Sequence, residues 1–443
     1  MKKLDKSNDR TPLALDRRAL LSRTAAVAST AALMSAVRAA FPGGAFAQGA
    51  GPEVKGTKLG YIALTDAAPL VIAKEKGLFA KHGLPDMDIS KQASWGALRD
   101  NMALGTKANG IDGGHILRPK THLYATGKVM QGNQPLPMYT LLNLNEDCQA
   151  ISVADEFKDL KAGTDSSVLK EAFAKKKAAG KEVKVAMTFP GGTHDLWIRY
   201  WLAAGGIDPD KDVSTIVVPP PQMVANMKVG NMDAFCVGEP WNEQLVNQGI
   251  GYTACTTGEL WFRHPEKILG MRADWVDANP RATRAILMAV MEAQQWCEKM
   301  ENKAEMAEIV GRRQWFNVPV PDIIGRIKGD INYGHGRTAK DTNLLMKFWG
   351  EKGETSYPWK SLDTWFITEN IRWGKFEPTI DIKGLVAKTN RSDLWLEAAK
   401  ELGLTGTPTG DSRGPEKFFD GKVFDPTDPM AYLKSLSIKR AMA

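Results

Sequence analysis

One order of strands and helices occurs twice along this chain. In the first copy, a β-rich run at residues 58–64 precedes a helical stretch at 67–83 and a further short strand. In the second copy, a strand-like run at 184–188 precedes a helical stretch at 193–204 and another strand at 214–218. Strands that alternate with helices in this way form parallel sheets flanked by helices. We therefore predict two similar α/β lobes.

Two facing lobes of this kind also predict where a ligand binds. In open α/β sheets, ligands bind beyond the carboxyl ends of the strands, so two lobes form a cleft there. The predicted boundaries assign residues 56–152 and 268–443 to the first lobe and 153–267 to the second. The clearest amphipathic helix is predicted at 282–300. The Gly- and Pro-rich tail beyond residue 405 predicts an irregular surface segment.

Residues 1–47 have the features of an export signal. The pair Arg17-Arg18 precedes a weakly apolar, alanine-rich stretch, and Ala45 and Ala47 supply small residues for a signal peptidase. A twin arginine in this place is typical of a Tat signal, which exports folded proteins. The stretch is too short for a membrane span of ~20 residues. Cleavage after Ala47 would release the mature protein into the periplasm, and no lipid-anchor cysteine lies near Ala47, so we expect a soluble form.

Charge and cysteine content argue against several classes of function. The chain has a net charge of +7, but residues 1–47 hold much of that excess, so the mature chain is close to neutral. No basic stripe for nucleic acid is indicated, and no nucleic-acid partner is expected. The four cysteines form no C-x-x-C pair, which indicates neither a zinc site nor an iron–sulfur cluster. In an oxidising periplasm Cys236 could bridge Cys255, although buried free thiols are an equally good interpretation.

Motifs of the common enzyme classes are missing from the sequence, including the nucleophile elbow, the H-E-x-x-H zinc motif and the phosphate loop. The Pro-Gly-Gly-Thr-His motif at 190–194 follows a predicted strand and opens a helix, where backbone N–H groups can bind an anion. A tight turn with Thr193 as the helix N-cap explains the same motif equally well. Taken alone, Trp95 is more often a core residue, and Gln149 and Lys267 are more often surface residues.

Longer segments resemble a known family. They read THDLWIRYWLAAGGI at 193–207, VPPPQMVANMKVGNMDAFCVGEPW at 218–241, HPEK at 264–267 and EAQQW at 292–296. With these segments the chain resembles the nitrate- and bicarbonate-binding proteins of ABC importers, over roughly residues 56–400. The resemblance implies an α/β, two-lobed type II periplasmic-binding-protein fold with the ligand enclosed between the lobes. It also implies the permease and ATPase subunits of an ABC importer as partners.

The resemblance further implies a ligand site. Carried over position by position, the family's anion contacts fall on Trp95, Gln149, His194, Gly238 and Lys267. Nitrate has three acceptor oxygens and no proton to give, so each polar partner must be a donor. The five residues would supply an indole N–H, an amide NH2, a ring N–H, a backbone N–H and a balancing ammonium charge. We expect a monomer that captures nitrate by lobe closure, with no metal, cofactor, catalytic residue or enzymatic activity.

Lys267 also discriminates within the family. The bicarbonate-binding relatives have an acidic residue at this position and use a calcium ion, because the O–H of bicarbonate needs an acceptor. Lysine therefore favours nitrate or nitrite. Three alternatives stay open: bicarbonate binding with calcium, binding of a sulfonate or another organic anion, and an enzymatic role like that of the pyrimidine-forming enzymes of thiamine synthesis.

Three features depart from a simple anion site. Glu239 is adjacent to it and would repel an anion, so we expect this side chain to turn towards a cation or backbone donors. Arg118 and Lys120 place two cations where the family segment is expected to be largely uncharged. Asp147 and Cys148 precede Gln149 where a more Gly-like approach is usual. Either the two cations or the Asp147-Cys148 approach could shift the anion preference if it alters the loop that carries Gln149.

Overall fold

The strands of the protein were located in a computed structural model, which describes residues 51–440; the predicted export signal lies outside these described residues. Two five-stranded sheets form the framework, in the orders β2-β1-β3-β10-β4 and β7-β6-β8-β5-β9. The pairs β11–β12 and β13–β14 form two short ladders. The strands are Lys58–Tyr61 (β1), Asp88–Lys91 (β2), Gly113–Leu117 (β3), Met138–Asn143 (β4), Gln149–Ala154 (β5), Lys184–Met187 (β6), Ser214–Val217 (β7), Ala234–Gly238 (β8), Gly251–Thr256 (β9), Lys267–Arg272 (β10), Asp330–Gly334 (β11), Arg337–Lys340 (β12), Glu416–Lys417 (β13) and Val423–Phe424 (β14).

The α-helices lie between these strands and in the C-terminal third of the chain. Their bounds are Ala68–Glu75, Leu78–Lys81, Trp95–Leu104, Lys120–Ala125, Lys170–Ala178, Thr193–Ala204, Met223–Lys228, Trp241–Asn247, Thr257–Leu260, Ala273–Ala278, Pro280–Glu298, Lys303–Gly311, Pro321–Lys328, Lys360–Arg372, Ile382–Thr389, Ser392–Glu401 and Pro429–Ser435. Within residues 51–440, no helix combines the length and apolar character that a membrane crossing requires.

The two sheets share one layout, which confirms the predicted pair of α/β lobes. Strands β1, β2 and β3 are parallel, and β10 runs antiparallel between β3 and β4. Strands β6, β7 and β8 are likewise parallel, and β5 runs antiparallel between β8 and β9. The chain therefore leaves the first sheet after β4, builds the second sheet from β5 to β9, and returns as β10. Each antiparallel strand begins at the edge where its parallel neighbours end.

The two segments that connect the sheets lie side by side. The Asp147 N–H donates to the His264 carbonyl at 2.8 Å, and the Leu144 N–H donates to the Lys267 carbonyl at 2.8 Å. Glu146 also forms an antiparallel bridge with Pro265. Backbone hydrogen bonds thus join the outward and return crossings into one connection between the lobes.

Apolar side chains pack in two clusters. The first contains residues of the first sheet, the helix Pro280–Glu298 and one face of the second sheet. The second cluster contains the opposite face of the second sheet together with Thr193–Ala204 and Lys360–Arg372. Within β8, Val237 lies in the first cluster and Cys236 in the second, because successive side chains of a strand point to opposite faces.

The local elements match the sequence prediction, with one split helix. The stretch predicted as a single helix at 67–83 forms two helices, Ala68–Glu75 and Leu78–Lys81. Gly77 lies between them at φ +68°, a left-handed conformation that ends the first helix and that glycine adopts without steric cost. The amphipathic helix expected at 282–300 is Pro280–Glu298.

The C-terminal segment differs from the sequence prediction in part. The tail beyond residue 405 contains the helix Pro429–Ser435, and Phe424 is fully buried with its ring centre 5.3 Å from that of Tyr432. The prediction of an irregular surface segment holds for most of the tail, but these buried aromatic residues join the tail to the second cluster. The same cluster includes Lys360–Arg372, so the chain after residue 268 does not pack on the first lobe alone.

The predicted lobe boundaries also differ from the sheets by a few residues. All of β5, from Gln149 onward, belongs to the second sheet, and Lys267 already belongs to β10 of the first. Hydrophobic patterning does not mark the outward crossing, because residues 144–148 are as buried as the strands that they join.

The cysteines do not form the bridge that the sequence left open. All four are free and buried. Cys236 and Cys255 both lie opposite Ile151, on the two strands that flank β5. Two strand spacings amount to about 10 Å, which exceeds the span of a disulfide.

Candidate functional site

The five residues predicted to contact an anion lie at corresponding ends of the strands. Gly238 is the last residue of β8, Gln149 the first of β5 and Lys267 the first of β10. Trp95 begins the helix after β2, and His194 lies in the first turn of the helix after β6. These positions are the carboxyl ends of parallel strands or the starts of the antiparallel strands beside them, which is the expected ligand edge. The side chains of the four residues other than Gly238 are completely buried.

Lys267 is the centre of this group. Its Nζ donates to Asp66 Oδ2 at 2.8 Å and to Glu266 Oε2. The same Nζ lies 5.8 Å from the centre of the Trp95 ring. A Cβ atom added to Gly238 would lie 3.2 Å from Asp66 Oδ2 and 3.7 Å from Lys267 Nζ. Glycine therefore allows the backbone of β8 to approach this ion pair closely.

Gln149 and His194 reach the same group by different routes. Gln149 lies directly opposite Gly238 in the β5–β8 ladder, so the Cβ directions of the two residues share one face of the sheet. Because the Cβ direction of Gly238 points at Lys267, the Gln149 side chain projects on the same side. His194 Nε2 lies 3.3 Å from Glu266 Oε1, the carboxylate that also binds Lys267. The structure thus brings all five predicted residues together.

Several polar atoms of this group are buried and have no hydrogen-bond partner among residues 51–440. They are Trp95 Nε1, Gln149 Nε2 and Oε1, and the hydroxyl of Thr65, next to Asp66. His194 Nε2 faces Glu266 Oε1 at 3.3 Å without hydrogen-bond geometry, so its contact is a weak one. Buried polar atoms are nearly always paired, and each unpaired one costs roughly 1–3 kcal/mol. Several of them in one cluster indicate a ligand position rather than core packing.

The protonation of His194 suits a donor role. Its Nδ1 is hydrogen-bonded with the hydroxyl of Thr188. Burial, and then the positive charge of Lys267, lower the pKa of His194 below its ordinary value, so the ring is neutral near pH 7. With Thr188 donating its proton to Nδ1, Nε2 carries the ring proton and presents an N–H to the group.

Two carboxylates that the sequence reasoning missed, Asp66 and Glu266, balance the charge of Lys267. Burial opposes the ammonium charge, but the two carboxylates raise the pKa of Lys267 above its ordinary value. Burial would likewise raise the pKa of Glu266, but Lys267 and His194 hold it far below its ordinary value. The ammonium is therefore already neutralised by the protein, in contrast to the expectation that its charge is free to balance an anion. The signal for Asp66 was its position just beyond the end of β1, at the ligand edge.

Asp66 also contacts His115, which packs beside Trp95. Its Oδ1 lies 2.6 Å from His115 Nε2, and the His115 ring centre lies 5.4 Å from that of Trp95. Asp66 therefore connects the Lys267 ammonium with the imidazole that packs beside the Trp95 indole.

Glu239 turns away from the group, as expected from the sequence. Its Oε1 lies 3.3 Å from Arg326 Nη1, and its Oε2 accepts the Glu243 N–H at 3.1 Å. Burial raises the pKa of Glu239 to about 7, although the charge of Arg326 opposes the shift. The expectation of a cation and a backbone donor as its partners is confirmed.

The approach to Gln149 has a glycine-like backbone although it contains no glycine. Asp147 and Cys148 have φ values of 61° and 63°, in the left-handed region that favours glycine. The Asp147 carboxylate accepts the His264 N–H at 2.8 Å, which fixes this turn to the return crossing. The departure in residue type therefore leaves the backbone path to Gln149 in a glycine-like form.

The two unexpected cations have different surroundings. Arg118 donates from Nε to Asp363 Oδ1 at 2.7 Å and from Nη2 to the Trp359 carbonyl at 2.8 Å, so its charge is balanced. Lys120 donates to the Trp95 carbonyl at 3.0 Å. Within the described part of the chain, no carboxylate oxygen lies at salt-bridge distance from Lys120 Nζ.

Among residues 51–440, no set of three or more His, Cys, Asp or Glu side chains is arranged to hold a metal ion. Two α/β lobes with buried N–H donors at their strand ends are the arrangement of a two-lobed solute-binding protein. The chain belongs to the NMT1-like family, whose model matches residues 50–311, and within it to the group of nitrate- and bicarbonate-binding proteins.

Individual relatives support this assignment along most of the chain. The nitrate/nitrite binding protein NrtA of Synechocystis sp. is 59% identical over 395 residues, 88% of this chain and 87% of the relative. The crystal structure of the periplasmic nitrate-binding protein NrtA from Synechocystis PCC 6803 matches with a TM-score of 0.85 and covers 88% of this chain and 100% of that one. This match confirms the predicted periplasmic-binding-protein fold.

Two further relatives are more distant. The bicarbonate-binding protein CmpA of Synechococcus elongatus is 45% identical over 398 residues, 88% of each chain. The nitrate import ATP-binding protein NrtC of Synechocystis sp. is 34% identical over 393 residues, which are 88% of this chain and 57% of that protein. The chain is thus more similar to the nitrate-binding than to the bicarbonate-binding relative.

Proposed function

We propose that this protein binds nitrate or nitrite in the periplasm and passes it to the permease and ATPase subunits of an ABC importer. It acts as a soluble monomer, is exported by a Tat signal and catalyses no reaction. The names of its relatives support the ligand class and the importer. The twin arginine at residues 17–18 supports the export route.

The observation that carries this proposal is the set of unpaired donors. Among the described residues, the buried N–H groups of Trp95 Nε1 and Gln149 Nε2 have no hydrogen-bond partner, and His194 Nε2 has only a weak contact with Glu266 at 3.3 Å. These groups lie close to Lys267 and to the backbone of Gly238. Each unpaired donor needs an acceptor, and nitrate offers three acceptor oxygens and no proton. An anion held by these three donors would satisfy all of them at once.

Binding requires that the two lobes close over the ligand. A ligand of four heavy atoms gains at most about 1.5 kcal/mol per atom, or roughly 6 kcal/mol, whereas micromolar affinity needs about 8 kcal/mol. Even to approach this ceiling, the ligand needs hydrogen bonds made in a site without water, where they are stronger. Because the site residues are completely buried, an anion reaches them only when the lobes separate. The paired crossings at residues 144–148 and 257–266 are where we place the hinge.

Titration calorimetry on the protein from residue 48 onward tests this function. Nitrate, nitrite and bicarbonate are each titrated with and without calcium. The proposal predicts one site per chain for nitrate or nitrite, with an affinity that calcium does not change and that exceeds the affinity for bicarbonate. No heat with nitrate and nitrite, combined with binding of a sulfonate or of bicarbonate, would refute it.

Bicarbonate is a second candidate because the group also contains acceptors. Gln149 Oε1 is buried without a partner, and the carboxylates of Asp66 and Glu266 lie beside Lys267. Any of these oxygens can accept the O–H of bicarbonate. In the same titration, this candidate predicts tighter binding of bicarbonate than of nitrate and an affinity that increases with calcium.

A further inference from the structure

Lys120 is a buried ammonium group that the site described so far does not use. Within the described part of the chain, its Nζ makes one hydrogen bond, to the Trp95 carbonyl at 3.0 Å, and the side chain is completely buried. Aromatic faces surround it: the ring centre of Phe189 lies at 3.8 Å, that of Trp95 at 4.7 Å and that of Tyr124 at 5.5 Å. Its ammonium charge thus forms cation–π contacts and one hydrogen bond to a carbonyl. No carboxylate of the described residues forms a salt bridge with it.

Lys120 and Lys267 flank the same indole. The Trp95 ring centre is 4.7 Å from Lys120 Nζ and 5.8 Å from Lys267 Nζ. The N–H of this indole is one of the unpaired donors. Asp66 and Glu266 already neutralise Lys267, whereas no carboxylate of residues 51–440 forms a salt bridge with Lys120, the second cation beside Trp95.

Lys120 also lies at the interface between the lobes. Lys120 and Trp95 follow β3 and β2 of the first sheet, whereas Phe189 follows β6 of the second. The 3.8 Å contact between Lys120 Nζ and the Phe189 ring therefore joins the lobes and exists when they are closed. When the lobes separate, water reaches the ammonium group.

Closure without an anion is unfavourable for such a group. Removing water from an ammonium that gains no counter-charge costs free energy. The same cost appears in its titration: burial, and then the neighbouring charge of Arg99, lower the pKa of Lys120 well below its ordinary value. A monovalent anion bound at Trp95 would supply the missing negative charge.

We propose that Lys120 is a second specificity-determining cation of the anion site, and that its burial makes closure of the lobes depend on a bound anion. This inference rests on the proposed anion-binding function. It assigns charge recognition to Lys120 and leaves Lys267 to hold the carboxylates and the geometry of the site.

Lys303 provides a matched control. It too is a completely buried lysine without a carboxylate at salt-bridge distance among the described residues. Its Nζ faces the Met346 carbonyl at 3.5 Å and lies 4.7 Å from the ring centre of Phe348. These contacts do not involve the anion-site residues, so a general effect of replacing a buried lysine appears in both variants.

Small-angle scattering and thermal melting of Lys120→Met and Lys303→Met, with and without nitrate, test the role of Lys120. We expect the wild type and Lys303→Met to be expanded without nitrate and compact with it. Lys120→Met is expected to be compact already without nitrate. Its nitrate-induced increase in Tm is expected to fall to less than half of the wild-type increase, because the charge that distinguishes the two states is gone.

A second variant separates charge from packing. Lys120→Gln retains a donor for the Trp95 carbonyl but carries no charge, so it is expected to behave as Lys120→Met does. If both variants stay expanded without nitrate and keep the wild-type Tm increase, the role of Lys120 is refuted. Nitrate binding by the wild type, measured in parallel by calorimetry, tests the proposed function separately.

Discussion

Lys267 Nζ lies 2.8 Å from Asp66 Oδ2 at a position from which water is excluded, and Glu266 binds the same ammonium. The lysine that the sequence marks as the anion's counter-charge is therefore part of a buried charge cluster with two carboxylates. This cluster is satisfied without a ligand, whereas the neighbouring N–H donors are not. The donors, rather than the ammonium, are the groups that need an anion.

Replacing Lys267 therefore affects folding as well as binding. In Lys267→Met, Asp66 and Glu266 remain buried without their cation, and loss of one partner of a buried pair costs about 3–5 kcal/mol. Urea denaturation should show this loss in the free energy of unfolding. The double variant Lys267→Met with Asp66→Asn should recover part of it, since one unpaired charge is removed. Equal stability of the wild type and the single variant would contradict this description of the cluster.

Removing the Trp95 N–H alone tests its donor role. Trp95→Phe retains an aromatic ring beside Lys267 but loses the unpaired Nε1–H. A hydrogen bond to a charged group contributes about 1.5–3 kcal/mol, so nitrate affinity measured by calorimetry should fall roughly 10- to 100-fold. Without ligand, the free energy of unfolding should fall only by the amount expected for the smaller ring.

Trp365 is the matched control for this substitution, because its Nε1 is also buried without a partner. It packs in the second hydrophobic cluster, against Trp197 and Trp261. Trp365→Phe should leave nitrate affinity unchanged. An equal loss of affinity in both variants would show that the effect arises from repacking rather than from a lost donor.

Gly238 tolerates no side chain without a shift of the site. The Cβ of Gly238→Ala would lie 3.2 Å from Asp66 Oδ2, which is closer than an ordinary van der Waals contact. Overpacking of this kind costs about 1–3 kcal/mol, and the displaced Asp66 carries Lys267 with it. We expect at least a tenfold loss of nitrate affinity. Gly163→Ala, whose nearest atom would be Arg337 Nη1 at 3.9 Å, should bind as the wild type does.

Glu239 makes stability depend on pH in a defined window. Burial raises its pKa to about 7 in the folded protein, from an ordinary value of 4.5. A raised pKa adds stability below the unfolded-state value, and this contribution is lost as pH rises through the folded-state value. At about 1.36 kcal/mol per pKa unit, the wild type should lose roughly 3 kcal/mol between pH 4.5 and 7 relative to Glu239→Gln. Parallel pH profiles of the two proteins in urea would contradict this.

Much of the fold follows from local patterns. The helices Thr193–Ala204 and Pro280–Glu298 have apolar residues at helical spacing, and the structure places them where the sequence predicts. The packing of Lys360–Arg372 and the tail against the second sheet was not predictable in the same way. The burial of Trp365 depends on partners such as Trp197, more than 160 residues away in the sequence, and periodicity carries no information on such pairs.

The site residues were likewise predicted only in part. The resemblance indicated five residues, and the strand ends explain why they meet. The carboxylates around Lys267 were missed because Asp66 is more than 200 residues away in the sequence, and because Glu266, its immediate neighbour, would point away from it in a regular strand. Glu266 lies just before β10, so the alternation of side-chain directions in a regular strand does not apply to it.

A crystal structure of the protein grown with nitrate would show where the anion binds. It should show a planar four-atom anion within hydrogen-bond distance of Trp95 Nε1, Gln149 Nε2 and His194 Nε2, in contact with both lobes. Nitrate bound elsewhere, with these three N–H groups still unpaired or pointing into separate regions, would contradict the claim that they form one anion site.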